Sequence, residues 1–491
     1  MLLYVRMLFI MAVQLFTSRV VLNTLGVVDY GLYNVVGGVV TMFAFLNGAM
    51  VTSTQRYITF ELGKGNLQRL KEVFTTCVQI HLIISLLIIF LGETIGLWFL
   101  YEKMVIPEER FTAAMWVYQL SVLTMCVQVM SVPYNSDIVA HEQMGVFAVI
   151  SVIEVVLKLA VVYMLVIGDF DKLVLYAILI AVIQLLIRFF YTHYCNRHFL
   201  ESRLIRTFDK QLALEMGKFM GWNIWGNLAA TLFGTGINLL LNVFFGPVVN
   251  AARAIAMQVE TAIANFSSNF LMAVNPQITK LYAQDDLKDM HKLIFRASKF
   301  TFFLMYIFSL PLCLEMKGIL VLWLKNPPEY AVIFTQLALA EAVVESISYP
   351  LMALAQATGK IRLYQGMVGG ILLLNLPLSY VALRLGLPPY SVMLVMIALS
   401  FTAFIVRLFI VSHLSGLSVR QFALKTMLPC LAVALCSAVI PVLFVKKVEE
   451  SLLRIFATAF ISVACCALCI LFLGMTKNER NAVVQKIYSV M

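Results

Sequence analysis

The chain has 491 residues, of which 62% are hydrophobic and only 13% charged, with mean hydropathy +0.92. No soluble domain of this length has that composition, and the alternating ten-residue segments of a membrane barrel are absent, so it reads as an all-α polytopic membrane protein. The net charge of +10 comes from basic residues in short loops with no aromatic-interleaved patch, which excludes nucleic acid and makes membrane lipids the expected surroundings.

In chain order, about fourteen spans are expected near 2–24, 31–58, 73–100, 111–139, 145–167, 172–195, 212–244, 248–280, 293–324, 331–357, 361–384, 390–413, 425–445 and 451–474. The first run starts abruptly at Met1, holds Arg6, and has no small-residue cleavage site behind it. It therefore reads as a span with a short lead rather than a removed signal peptide. Trp98, Trp116 and Trp323 stand where interfacial tryptophans belong. Basic residues outnumber those on the opposite side about two to one in alternate loops, which places both termini in the cytoplasm. Nine cysteines scattered through apolar runs imply no disulfide framework.

A weak internal repeat links the halves. A shift of 220 residues aligns Gly26 with Gly246, Ala44 with Ala264 and Ile58 with Ile278, and a shift of 217 aligns Pro133 with Pro350. Six spans per unit keep both units in one orientation, a parallel repeat with substrate bound between halves. The expected domains are 1–210 (helices 1–6), 211–415 (helices 7–12) and 416–491 (helices 13–14 with a cytoplasmic tail). Pro133 and Pro350 are expected to bend their spans.

Helical spacing sorts polar residues onto faces. Asn34, Thr52, Ser53 and Arg56 share one face of the second span. Asn223, Asn227, Gly234 and Asn238 share one of the seventh, and Arg253, Glu260 and Ser267 one of the eighth. Such stripes either glue helices together or line a wet cavity. Intramembrane charges are expensive, so Arg19, Arg56 and Arg253 are candidates to face a cavity, and Glu260 could instead neutralise Arg253. Glu154 and Lys158, spaced i, i+4, suit a self-neutralising pair. Glu341 and Glu345 are like charges one turn apart, a candidate site for a proton or cation. No HExxH, GxSxG, Walker A or dinucleotide fingerprint occurs, and the six histidines show no metal-ligand spacing. No enzyme, cofactor or metal site is expected, and any driving force is an ion gradient, the membrane potential or the substrate gradient.

The run TSRVVLNTLGVVDYGLYNVVGGVVTMFAFLNGAMVTSTQRYITFELGKGN, with VPYNSDIVAHEQMGVFAVISVIEVVLKL and NAARAIAMQVETAIANFSSNFLMAVNPQITK, resembles bacterial polysaccharide (O-antigen, Wzx-type) flippases of the MOP superfamily. Ser18-Arg19, Leu25-Gly26, Tyr30-Gly31 and Gln55-Arg56 carry the likeness, which extends over most of the chain. It implies two six-helix lobes, N and C, around a central cavity, two extra C-terminal helices, and an inner-membrane location. It also implies movement of an undecaprenyl-diphosphate-linked glycan to the periplasmic leaflet by alternating access, alongside the glycosyltransferases and polymerase of surface polysaccharide biosynthesis. Arg19, Arg56 and Arg253 are where the diphosphate is then expected, because arginine stays charged when buried and its fork matches phosphate oxygens. Asn34, Thr52, Asn223, Asn227, Asn238 and Glu260 would line the cavity, with Glu341 and Glu345 coupling to a proton or sodium ion. A cation-coupled multidrug antiporter of the same superfamily is the alternative. A membrane polysaccharide polymerase or ligase is a third reading, disfavoured by the lack of a long outer loop.

Overall fold

A computed structural model describes residues 44–102, 106, 108–165, 171–206, 209–245, 247–477 and 479–481, together with positions 6–10, 13, 17, 20–21, 24–25, 29 and 33. The protein is an all-α multi-pass membrane protein, and no strand occurs among the described residues. Its helices are α1 (Ala44–Lys64), α2 (Leu67–Glu102), α3 (Phe111–Ala140), α4 (Met144–Met164), α5 (Lys172–His198), α6 (Lys210–Phe245) and α7 (Pro247–Ala283). They continue with α8 (Leu287–Leu324), α9 (Ala331–Ser346), α10 (Tyr349–Thr358), α11 (Ile361–Arg384), α12 (Ser391–Ser415), α13 (Val419–Lys447) and α14 (Leu452–Gly474).

Among the described residues, ten of these helices are long and apolar enough to cross a membrane, and eleven if α9 and α10 are one broken span. The other two, α1 and α7, fall short because polar residues interrupt them, and they carry Arg56 and Arg253. The expected first span, 2–24, and the start of the second lie mostly outside the described residues.

The helix starts follow from the short connections. Asn66, Asp171, Asp209, Asp286, Ser418 and Ser451 each accept a hydrogen bond from a backbone N–H of the first turn that follows, at 2.9–3.3 Å. Each satisfies a donor that the helix itself cannot. Gly359 and Gly416 end α10 and α12 with φ of 73° and 71°, the left-handed region that glycine enters without strain.

The chain divides into two compact units, 1–227 and 228–491, and the division falls inside α6. In the first unit α3 packs on α1, α2 and α5, around Met50, Ile88, Ala114, Val117, Tyr118 and Leu173. In the second, α7, α8 and α9 pack together, α12 lies against α9, α10 and α11, and α14 packs on α8 and α13. Small residues such as Ala252, Ala256, Ala338, Ala342, Ala355 and Ala403 are buried there, which lets backbones approach. Large apolar side chains point outward, Leu453, Phe456 and Phe460 being 72–81% exposed, as a lipid-facing surface requires. All nine cysteines are free thiols.

The two prolines expected to act alike behave differently. α3 continues through Pro133, whereas α9 and α10 meet at a 42° bend with Pro350 in the first turn of α10. A proline there gives up an N–H that no helical partner needs. In α8 the helix is interrupted at Glu315, four residues beyond Pro311, and Glu315 is buried. Its carboxylate receives Arg454 Nη2 at 2.9 Å and Thr458 Oγ1 at 2.8 Å from α14. The segment just beyond α14 is held the same way, with Glu479 accepting from Lys299 Nζ at 2.9 Å and from the Thr476 N–H at 2.8 Å. Burial pushes the Glu479 carboxyl up, but these hydrogen bonds outweigh it and hold the group below its ordinary value.

α2 contains a π-helical turn, Gly92–Gly96, into which Tyr118 docks, its hydroxyl donating to the Gly92 carbonyl at 2.7 Å. A Cβ at Gly96 would stand 1.9 Å from that hydroxyl. Gly96→Ala is therefore expected to expel the Tyr118 hydroxyl and destabilise the first unit by about 1–3 kcal/mol. An unchanged melting curve of the purified variant would show that the docking contributes nothing.

Candidate functional site

Five helices, α6, α7, α9, α10 and α12, place an array of charged and polar groups within the second unit, beside the bend between α9 and α10. Arg253, on α7, is fully buried. Its Nη1 donates to Asn238 Oδ1 on α6, and its Nη2 donates to the Gly234 carbonyl at 2.9 Å and lies 3.7 Å from Met396 Sδ on α12. One guanidinium thus ties three helices together. It makes no ion pair with Glu260, although the two share a helix face.

The carboxylates gather further along. Glu341 is buried on α9 and accepts a hydrogen bond from Ser400 Oγ on α12. Glu345, one turn on, lies 3.7 Å from Arg407 Nη2. The Arg407 side chain is 3% exposed and that of Glu345 is 27% exposed, so Glu345 is the open end of the pair. Glu260 lies within electrostatic reach of both Glu341 and Glu345, and the Tyr349 hydroxyl within reach of all three carboxylates and Arg407. Arg407 Nε and Nη1 are buried without a hydrogen-bond partner among the described residues. Among the described residues of this cluster, two arginines thus stand with three carboxylates. If all were ionised, one negative charge would remain over, and low-dielectric surroundings make such an excess costly unless a proton or cation joins it.

In the first unit, the Arg56 guanidinium carbon sits over the rings of Tyr57, Phe60 and Phe219 at 4.6, 4.7 and 5.5 Å. Residues 210–227 of α6 zip along α1. Tyr57 donates to Glu215 Oε1 at 3.1 Å, Asn223 Nδ2 to Ser53 Oγ at 3.2 Å, and Asn227 stands against Gly48. Half of the expected polar stripe on α6 is therefore spent on helix packing. Thr52 donates back to the Gly48 carbonyl of its own helix at 2.8 Å. Asn238 is engaged by Arg253, as above. Glu154 and Lys158 pair at 2.6 Å, and Gln184 joins Glu154 at 3.0 Å. Arg19 and Asn34 lie outside the described residues.

Sequence reasoning passed over Arg407 and Ser400. The available signal was a cation in the middle of the otherwise apolar run 390–413, which an intramembrane arginine has to justify with a partner.

No protein-family model matches the chain, and no curated protein matches it significantly. Solved structures do. An outward-facing multidrug-resistance transporter of the MATE family, in the MOP superfamily, superposes with a TM-score of 0.70 at 14% identity, over 85% of this chain and 95% of its own. A MATE transporter in the bent conformation gives 0.70 at 14% identity, over 84% and 94%. A MOP-superfamily transporter from Pyrococcus furiosus, described as having a binding pocket of reversed polarity that suggests a different function, gives 0.65 at 14% identity, over 84% and 95%. The chain therefore has the MATE-like fold of these solved structures.

Proposed function

We propose that the protein is an ion-coupled transporter that moves a lipid-linked oligosaccharide, carried on undecaprenyl diphosphate, from the cytoplasmic to the periplasmic leaflet by alternating access. The observation that carries the ion coupling is the excess of carboxylate over arginine among Glu260, Glu341, Glu345, Arg253 and Arg407. A proton or sodium ion fits that excess, and Glu345 is the group through which it enters. The substrate reading rests on the resemblance of the Thr17–Asn66 run to polysaccharide flippases and on Arg56. A half-buried guanidinium laid on three aromatic rings suits a diphosphate next to an apolar chain, since the rings hold the planar cation and its edge matches phosphate oxygens. Arg19 is a second cation for the same contact on sequence grounds. Arg253 is left out of it, because it is fully buried and bound to α6 and α12. Glycosyltransferases that build the glycan and a polymerase that extends it are the expected functional partners, at the inner membrane.

A second reading, a cation-coupled multidrug antiporter, is favoured by the same carboxylates and by the fold's multidrug-resistance relatives. One experiment separates the two. In cells lacking the chromosomal copy, Arg56→Ala is expected to reach the membrane at wild-type level, to reduce surface glycan at least tenfold, and to leave drug susceptibility unchanged. Loss of one charge-assisted contact of about 1.5–3 kcal/mol gives that size of effect. Wild-type glycan display with Arg56→Ala removes the diphosphate assignment. Drug resistance that follows the protein, with glycan display unaffected by its deletion, establishes the antiporter instead.

A further inference from the structure

The first unit brings together three donors that the transport reading does not use. Asp137 lies in the last turn of α3, and His141 caps that helix one turn later. Glu201 arrives from the segment after α5, sixty residues along the chain. His141 Nε2 is 2.5 Å from Glu201 Oε1 and 3.9 Å from Asp137 Oδ1, and one donor atom from each residue lies within 4.8 Å of the others. The imidazole is stacked flat on Phe199, centroids 4.0 Å apart at 5°, so its orientation is set by packing.

Asp137 makes this cluster hard to explain as packing alone. Its side chain is fully buried. Oδ2 accepts a hydrogen bond from Ser202 Oγ at 2.9 Å, whereas Oδ1, which faces the histidine, is buried and accepts none among the described residues. A buried carboxylate oxygen without a donor costs several kcal/mol unless a cation or proton meets it. The single imidazole already abuts Glu201, so one protonated histidine can neutralise only one of the two carboxylates.

We propose that Asp137, His141 and Glu201 form a binding site for a divalent transition-metal ion, zinc being the best match. One imidazole nitrogen and two carboxylate oxygens are a zinc donor set, and three protein ligands leave a fourth position for water. Ligand atoms about 2.0–2.1 Å from a tetrahedral ion lie about 3.4 Å apart, and the two distances here, 2.5 and 3.9 Å, fall on either side of that spacing. Ser202 supplies the hydrogen bond that orients a ligating carboxylate. His141, 24% exposed, opens a path for the ion to enter. The bound ion joins the end of α3 to the segment that follows α5, which a hydrogen bond between His141 and Glu201 alone would do more weakly. The site was invisible in the sequence because the third donor is distant and the first two show no zinc-motif context.

The test uses untagged full-length protein in detergent, stripped with EDTA and then titrated with Zn²⁺ alone by calorimetry or with Mn²⁺ by electron paramagnetic resonance. One Zn²⁺ per chain is expected, with affinity at least tenfold lower in Asp137→Asn and in His141→Gln. Bound Mn²⁺ is expected to show nitrogen coupling from one imidazole. Stripped wild-type protein that is folded and binds no ion overturns the proposal, as does binding that is unchanged in both variants. Should the variants fail to fold, the wild-type Mn²⁺ spectrum decides: an ion without nitrogen coupling is bound elsewhere.

Discussion

Arg407→Ala is expected to cost about 3–5 kcal/mol of stability and to abolish transport, because it strands carboxylates inside the second unit. Glu345 loses its counter-charge, and Glu341 and Glu260 are left in an array of three carboxylates with only Arg253 for compensation. The purified variant should melt well below wild type in detergent. Glu345→Gln introduced into the same chain should recover much of that loss, since it removes the charge that Arg407 faced. The double variant should still not couple transport to an ion gradient. A single Arg407→Ala variant that melts with wild type would mean the 3.7 Å pair is energetically idle, and the ion-coupling role of the cluster would lose its main support.

Arg253→Ala is expected to fail for a different reason. The guanidinium donates to Asn238 and to the Gly234 carbonyl and fills fully buried space between α6, α7 and α12. Its removal leaves a cavity and two orphaned acceptors, a loss of about 3–5 kcal/mol. Lysine should not substitute, because one ammonium on a flexible stem cannot reproduce a rigid fork that reaches two partners. The measurement is the amount of folded protein recovered from membranes together with its melting temperature. A variant recovered at wild-type yield and stability, yet inactive, would instead place Arg253 in contact with the substrate.

These two arginines show how unevenly the site could be read in advance. Arg253, Glu260, Glu341 and Glu345 stand out in a sequence because charge within an apolar run is rare and helical spacing sorts it onto faces. Their pairing does not. Arg253 shares a face with Glu260, yet its bonds go to α6 and α12, and Glu345 finds its cation sixty-two residues downstream on α12. Glu154 and Lys158 were legible as a pair because both partners lie on one turn of one helix. The polar stripe of α6 was legible as a stripe, but whether Asn223 met water or a neighbour was decided by Ser53 on α1, at 3.2 Å.

The sequence by itself determined that this is a helical membrane protein, where most of its spans lie, how its helices begin, and which residues would be costly to bury. Those properties follow from local physics: an apolar run long enough for the bilayer, a side chain that caps the next turn, a charge with nowhere to go in hydrocarbon. Only the tertiary structure decided which charges neutralise one another, that Pro350 marks a 42° break while α3 runs on through Pro133, and that Asp137, His141 and Glu201 converge. Each of these joins segments far apart in the chain. A period of 3.6 residues says which way a side chain points from its own helix, but carries nothing about which helix stands opposite.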